Sequence, residues 1–435
     1  MFEFIQVKRR STCRVCGSPH LSPAVDLGDQ YLQGAFIKEG STTPPQNRYP
    51  TLLVRCDLQK NPKGCGLLQT AYSLPPEFLY TIYWYRSGVN NTMREHLRDI
   101  AESATSIVPG TNLRVLDIGC NDGTLLHRFP ETFDLIGVDP SDLARQIKPP
   151  IRVINTLFPS ELADKILSER KVDIVTSIAM FYDLEDPVGF AKTIKNTLAS
   201  NGIWIVEMSY LPTMLEKNSL DTICHEHLEY YSLAALDFIF REAGLRAFKA
   251  ELNEINGGSI RCYVTHDNNH GFDTPDRQNF LNSLRSAEAK LELGTEKTYV
   301  AFQQRIGKIR DELTALLESL RKEGKSIHVY GASTKGNVLL QWCGIDSNLV
   351  TCASDRNPDK HGARTVGTNI PIVSEEESRA MKPDYYLVLP WHFRHEFLQR
   401  ERQTILNGTK MIFPLPQVTI VGRAEISASD GTVAQ

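Results

Sequence analysis

Between residues 114 and 208 short apolar runs alternate with helical stretches. The runs are 115–118, 135–138, 153–155, 174–178 and 203–208. They are too short for buried helices and are bounded by turn residues. Their spacing predicts strands of a largely parallel sheet with crossover helices between them. The same beat returns at 326–330, 350–354 and 385–389, after a long charged amphipathic helical pattern over 298–322. The first 74 residues lack it and are rich in Pro, Gly and polar residues. The pattern therefore predicts an α/β chain of three domains, over 1–74, 75–270 and 271–420, with a disordered tail over 421–435. A length of 435 residues gives each domain enough chain for its own core.

The strand ends carry the chemistry. Residues 114–126 read RVLDIGCNDGTLL: an apolar strand, a Gly-bearing turn, then a helical pattern. Glycines let backbone approach a ligand closely. Asp117 lies beside the turn, and Asp139 closes the next strand about 20 residues on, where a carboxylate suits ribose hydroxyls. Asn121 and Thr124 occupy the second and third glycine positions of a GxGxxG fingerprint, so the dinucleotide motif is absent. The turn resembles that of the class I S-adenosylmethionine (SAM) methyltransferases, which implies a SAM cradle of Asp117, Gly119, Cys120, Asn121 and Asp139. After the fourth strand, Met180 and Phe181 either flank an adenine or simply pack.

Composition narrows the setting. Apolar residues make up 41%, charged residues 23%, and the net charge is −4. With no basic excess, no nucleic-acid partner is expected. The N-terminus has no apolar signal region and no run approaches membrane-spanning length, so a cytoplasmic protein without a membrane partner is expected, and a monomer is compatible with independent domains. Disulfides are then disfavoured, and the nine cysteines need another account. Cys13 and Cys16 form a CxxC knuckle; Cys56 and Cys65 follow with looser spacing. Two thiolate pairs converging on one ion give a closed structural Zn2+ site, the alternative being four reduced, unliganded thiols.

A second dense stretch is 221–231, DTICHEHLEYY. The zinc-protease pattern HExxH fails here, because His225 and His227 are spaced i and i+2. On a helix they would point to nearly opposite sides. One imidazole in a site with Glu226 beside it fits acid–base work better, with a purely structural polar cluster as the alternative. Downstream, Asn256, Gly258, Ser259 and Arg261 lie in a turn and strand that read equally as a β-turn or as contacts to a polyhydroxylated or phosphorylated ligand. The second α/β unit opens with the turn 331–337, GASTKGN, which is neither a Walker A loop nor a nucleophile elbow. Its Ser333, Lys335 and Asn337 stand at a helix N-terminus suited to phosphate. Trp391 and His392 follow a later strand on the ligand side of that sheet.

In this order the motifs CxxC, GCNDG, ICHEHLEYYSL, NGGS with Arg261, and YGASTKGN resemble the bacterial nucleotide-sugar C-methyltransferases over roughly residues 10–415. The resemblance implies a zinc-binding N-terminal domain, a SAM-binding Rossmann-like central domain and a second Rossmann-like C-terminal domain. It also implies a nucleoside-diphosphate 4-keto deoxysugar as substrate. His227 is implied as the base that forms an enolate, with Glu226 beside it and His225 in the same motif. Two departures concern the acceptor side. Cys224 stands where relatives often carry Tyr, and Met180-Phe181-Tyr182 stand where some carry His. The group that stabilises the enolate therefore stays open among His225, Tyr182 and Tyr85. Two other readings remain: an O- or N-methyltransferase on another small acceptor, and a non-catalytic nucleotide-sugar-binding protein.

Overall fold

The computed structural model describes residues 7–40, 44, 46–75, 79 and 87–426. Tyr85 and the aromatic run around it lie outside the described residues. At the centre is a seven-stranded sheet in the order Leu245–Asn253, Ser259–His266, Leu198–Ser209, Val172–Ile178, Arg114–Ile118, Asp134–Val138, Arg152–Ile154. The last five are parallel, and the first two form an antiparallel hairpin whose Ser259–His266 arm pairs antiparallel with Leu198–Ser209. Arg114–Ile118 is buried at all five positions, as expected of a parallel strand covered on both faces. Its neighbours are the next strand in sequence on one side and a later one on the other. Strand order thus reverses at its C-terminal end, and a crevice opens there.

The C-terminal sheet repeats this arrangement. Its order is Ile372–Ser374, Ala353–Asp355, Ile327–Tyr330, Tyr385–Val388, Lys410–Phe413, Thr419–Val421, parallel except for the last strand. That last strand and the turn after it occupy part of the stretch predicted to be a tail. Val421 pairs with Met411 and Ile426 is buried, so the chain is structured to residue 426. Residues 427–435 lie outside the description.

The N-terminal region is a four-stranded antiparallel sheet whose outermost strand, Glu229–Tyr230, comes from the central region. Glu229 faces Gln69 and Tyr230 faces Leu68. The short strand Phe36–Ile37 in turn pairs with Arg364–Thr365 of the C-terminal region. Helix Glu296–Lys322 buries Tyr299, Phe302, Ile306, Ile309, Leu313, Leu317 and Leu320, a three-four spacing that makes one apolar face. Burying each such side chain is worth roughly 1.5–3 kcal/mol before chain entropy is counted. That face joins one cluster of buried residues running from Val25 and Leu53 to Phe413, so the N- and C-terminal sheets share a core. Among the described residues no helix is long and apolar enough to cross a membrane.

Candidate active site

The donor turn is shaped by left-handed backbone. Gly119 and Gly123 lie at φ 76°, and Asn121, a residue that tolerates this region, at φ 50°. This turns the Asn121 amide onto Asp139 Oδ2 at 2.9 Å, while the Ser141 amide meets Oδ1 at 2.8 Å. Asp117 accepts the Thr176 hydroxyl at 2.7 Å. Burial pushes its carboxyl up to about 7, against Thr176 and with a smaller push from Asp139. A Cβ on Gly119 would lie 3.1 Å from Met180 Cγ, so the turn and the segment after the fourth strand form one narrow wall.

His227 is held from behind. Its Nδ1 lies 2.8 Å from the Thr222 carbonyl, and an acceptor there assigns the proton to Nδ1 and leaves the Nε2 lone pair bare. The Tyr182 ring packs against the imidazole with centroids 4.2 Å apart. The next residue, Leu228, donates its amide to the Tyr182 carbonyl at 2.7 Å, and its carbonyl accepts the Thr70 amide at 2.9 Å. Burial, and then the nearby Lys335 ammonium, lower His227 to about 3, so it is a neutral imidazole at physiological pH. Glu226 is buried and its carboxyl is raised by that burial, opposed by hydrogen bonds from the Cys224 side chain and the Gly34 backbone.

The second sheet presents a matching turn. Asp355 Oδ2 accepts the Ala332 amide at 2.9 Å and Oδ1 accepts the Asn357 amide at 2.8 Å. This is the same pair of contacts that Asp139 makes. Ser333 caps the following helix by accepting the Gly336 amide. Lys360 donates to the Ala332 carbonyl at 2.6 Å, and Lys335 reaches across to the Asn256 carbonyl at 2.7 Å. A cavity of about 490 Å³ is lined by both turns and by His227.

Of the residues singled out from sequence, the cavity is lined by Asp117, Gly119, Cys120, Asn121, Asp139, Met180, Tyr182, Glu226, His227, Asn256, Ser333, Lys335 and His392. Others are placed elsewhere, for identifiable reasons. Phe181 is fully buried, stacked on Tyr231 and edge-on to Trp204, so of the two readings it packs. His225 turns toward the N-terminal sheet, where its Nε2 lies 3.4 Å from Thr51 Oγ1 and its amide bonds Gln33. Cys224 is fully buried away from the cavity wall. A Cβ on Gly258 would strike Thr213, and Ser259 bonds the Ile255 carbonyl. Arg261 faces Glu207 across the sheet and binds it at 2.7 Å, together with Asp99 at 2.8 Å. Asn337 is spent on the Gln33 carbonyl, and Trp391 donates to Asp221 at 3.0 Å.

Sequence reasoning passed over Gly34, Asp183, Glu207, Asp355 and Lys360, all of which line the cavity. Glu207 and Asp355 were findable, since each stands at the C-terminal end of a predicted strand. Gly34 carried no local signal. It comes from the N-terminal region and reaches the site only through tertiary packing.

The four N-terminal cysteine sulfurs lie within 4.8 Å of one another, with Cys13–Cys65 at 3.4 Å and Cys16–Cys56 at 3.5 Å. A tetrahedral zinc with Zn–S bonds of about 2.3 Å spaces its sulfurs about 3.8 Å apart, so the cluster fits a closed structural Zn2+ site.

Known protein families match in succession between residues 13 and 416. Residues 13–80 match a putative zinc binding domain, 85–249 a methyltransferase domain, and 254–416 a C-methyltransferase C-terminal domain. C-methyltransferase NovU of Streptomyces niveus is 28% identical over 414 residues, covering 94% of this chain and 96% of that protein. Among solved structures, the CcbJ methyltransferase from Streptomyces caelestis is 12% identical, with a TM-score of 0.32 over 39% of this chain and 89% of that one. SAM-bound CalS10, an amino pentose methyltransferase from Micromonospora echinaspora, is 16% identical, with a TM-score of 0.30 over 39% and 90%. With zinc-binding, methyltransferase and C-terminal domains matched in one order, the chain is a class I SAM-dependent methyltransferase, similar over 94% of its length to C-methyltransferase NovU.

Proposed function

We propose that this C-methyltransferase acts on a nucleotide-linked 4-keto deoxysugar, adding the methyl group to a carbon next to the carbonyl. The observation that carries the reading is the duplicated cradle. Asp139 and Asp355 each fold a Gly-bearing turn onto a carboxylate in the same way, and both line the cavity that His227 lines. One cradle suits the adenosine of SAM and the other suits the nucleoside of a sugar nucleotide. Ser333, capping its helix, and Lys335 stand where the diphosphate would lie. SAM supplies an electrophilic methyl group on a sulfonium.

The chain's own residues then do the following. Nε2 of His227 takes the proton from the carbon next to the ketone, while the Thr222 carbonyl holds Nδ1–H and fixes the ring. An empty site keeps this imidazole a weak base, because burial and Lys335 both oppose its protonation. A diphosphate beside Lys335 offsets the second cause, so the base strengthens once substrate is bound. The surrounding wall of Met180, Tyr182 and Phe393 excludes water from the carbanion-like carbon.

Incubating the protein with a dTDP-linked 4-keto-6-deoxyhexose in D2O without SAM tests this. Deuterium should enter the carbon next to the ketone, and adding SAM should place the new methyl on that carbon. His227→Ala should abolish both while S-adenosylhomocysteine (SAH) still binds. A product methylated on oxygen or nitrogen, with no deuterium exchange, would refute the proposal.

A further inference from the structure

We propose that Asp183 donates a hydrogen bond to the substrate's carbonyl oxygen as it becomes an enolate, completing the site on the same wall as the base. This rests on the keto-sugar reading above and names the group that reading lacks.

Asp183 lines the cavity together with His227, and its Oδ1 is buried without a hydrogen-bond partner. A buried polar atom without a partner is uncommon and calls for an explanation, and at a cavity wall a catalytic role is one. The carboxyl is placed by a rigid turn. Phe181 is locked among Phe190, Trp204 and Tyr231, and the Tyr182 carbonyl is tied to the Leu228 amide. The Asp183 amide bonds the Met180 carbonyl at 3.1 Å, closing the turn. The side chain is therefore presented to the cavity by the segment whose ring packs on His227.

The charges around it make this carboxyl an acid rather than a carboxylate. Among the described residues no lysine or arginine pairs with Asp183. Arg14, the buried arginine beside Glu229, is directed to Glu185 at 3.4 Å, to Glu229 at 3.6 Å and to Gln69, Thr70 and Ser73. The titratable groups facing it are Glu226 and Glu229 on the His227 segment, with the Cys224 thiol and Tyr230 phenol behind them. Burial, then Glu226, then Glu229 hold its carboxyl well above the ordinary range. A protonated carboxyl has one O–H to give, as a buried neutral acid does in other enolising sites. The alternatives on this wall are less suited. Lys335 already donates to Asn256, and His227 is committed as base.

The electron count closes without moving the Asp183 proton. Nε2 of His227 takes the C–H proton, the C–H pair becomes the new C=C bond, and the carbonyl π pair moves onto oxygen. The Asp183 O–H donates to that oxygen and keeps its hydrogen. When the carbon then bonds the methyl group, the C–S pair leaves with sulfur as a thioether and the carbonyl re-forms.

The test is the SAM-independent deuterium exchange of the dTDP-linked 4-keto-6-deoxyhexose, measured for wild type, Asp183→Ala and Asp183→Asn, with SAH calorimetry on each. Losing one donor to a developing oxyanion typically costs about 10²–10³-fold, and Asp183→Ala should slow exchange by that factor. Asp183→Asn keeps an N–H donor in the same shape and should stay within about tenfold of wild type. Unchanged exchange in Asp183→Ala would overturn the proposal. So would an Asn variant as slow as the Ala variant while still binding SAH, because that marks a role for the ionised form. If the Ala variant does not bind SAH, and so has not folded, the Asn variant alone decides in the same terms. Failure of the wild type itself to exchange overturns the keto-sugar reading, and is thereby distinct from failure of the Asp183 assignment.

Discussion

Gly34→Ala isolates the contribution of the N-terminal region to catalysis. A Cβ on Gly34 would lie 1.9 Å from Glu226 Oε1 and 3.1 Å from its Cδ, with Thr334 Oγ1 at 3.5 Å. Real Cβ contacts essentially never fall below 3.0 Å, so the Glu226 carboxylate must retreat by about 1.1 Å or more. Gly34 is not in the left-handed region, so the alanine itself adds no backbone strain. What yields is the far end of one side chain, and the cost in stability should be at or below the roughly 1–3 kcal/mol typical of overpacking. Catalysis should suffer more. That carboxylate flanks His227 and is held by the Gly34 backbone, and a displacement of about 1 Å at a reacting centre costs on the order of 10²-fold. The assay is methyl transfer measured as kcat, beside a thermal melt and an SAH titration. A large fall in kcat with a nearly unchanged melt and unchanged SAH affinity is expected. A kcat within about twofold of wild type would show that the position of Glu226 does not matter, and the reasoning would fail.

Three further outcomes follow from the same geometry. Asp117 is raised to about 7 by burial, so its carboxylate is progressively protonated as pH falls below 7. SAM is cationic and prefers the ionised form, so its affinity should drop by up to about tenfold per pH unit below 7, and Asp117→Asn should bind more weakly with a flat profile across pH 5.5–8. Without SAM the sign is opposite: the folded state binds more protons than the unfolded one between the ordinary carboxylate pKa and 7, so Asp117's contribution to stability falls as pH rises through that window. Zinc removal by a chelator, checked by metal analysis, should abolish methyl transfer while SAH still binds. His227 is anchored through Leu228 and the pairing of Leu68 with Tyr230, three residues from Cys65, whereas the donor turn belongs to the other sheet. Arg261→Leu should cost about 3 kcal/mol in urea unfolding, because the buried Glu207 loses its guanidinium partner and keeps only His96 and Asn253, with the substrate KM little changed in the protein that remains folded.

Why some of this was readable in the chain and some was not follows from the range of each interaction. The central parallel strands were legible because Arg114–Ile118, Asp134–Val138 and Val172–Ile178 are buried over most of both faces and so read as apolar runs. Asp117 and Asp139 were legible because the turn that positions them is local, with the Asn121 amide only 18 residues from the carboxylate it meets. Arg261 misled because its role depends on register. Its strand pairs antiparallel with Leu198–Ser209, which brings Glu207 opposite it and spends the guanidinium on an ion pair; no feature of Asn256-Gly257-Gly258-Ser259 specifies that alignment. The two histidines show the same limit more sharply. An extended segment would put His225 and His227 on one face; the chain instead bends at residues 225 and 226 and separates the two rings, and the spacing does not say which of them faces the cavity. That choice is made by Leu68 and Gln69, which take Glu229–Tyr230 as the edge strand of the N-terminal sheet and draw His225 in with it toward Thr51 and Gln33. His227 is left to face the cavity. The cysteine-bearing region, which by itself looks like a detachable module, therefore decides which imidazole faces the cavity.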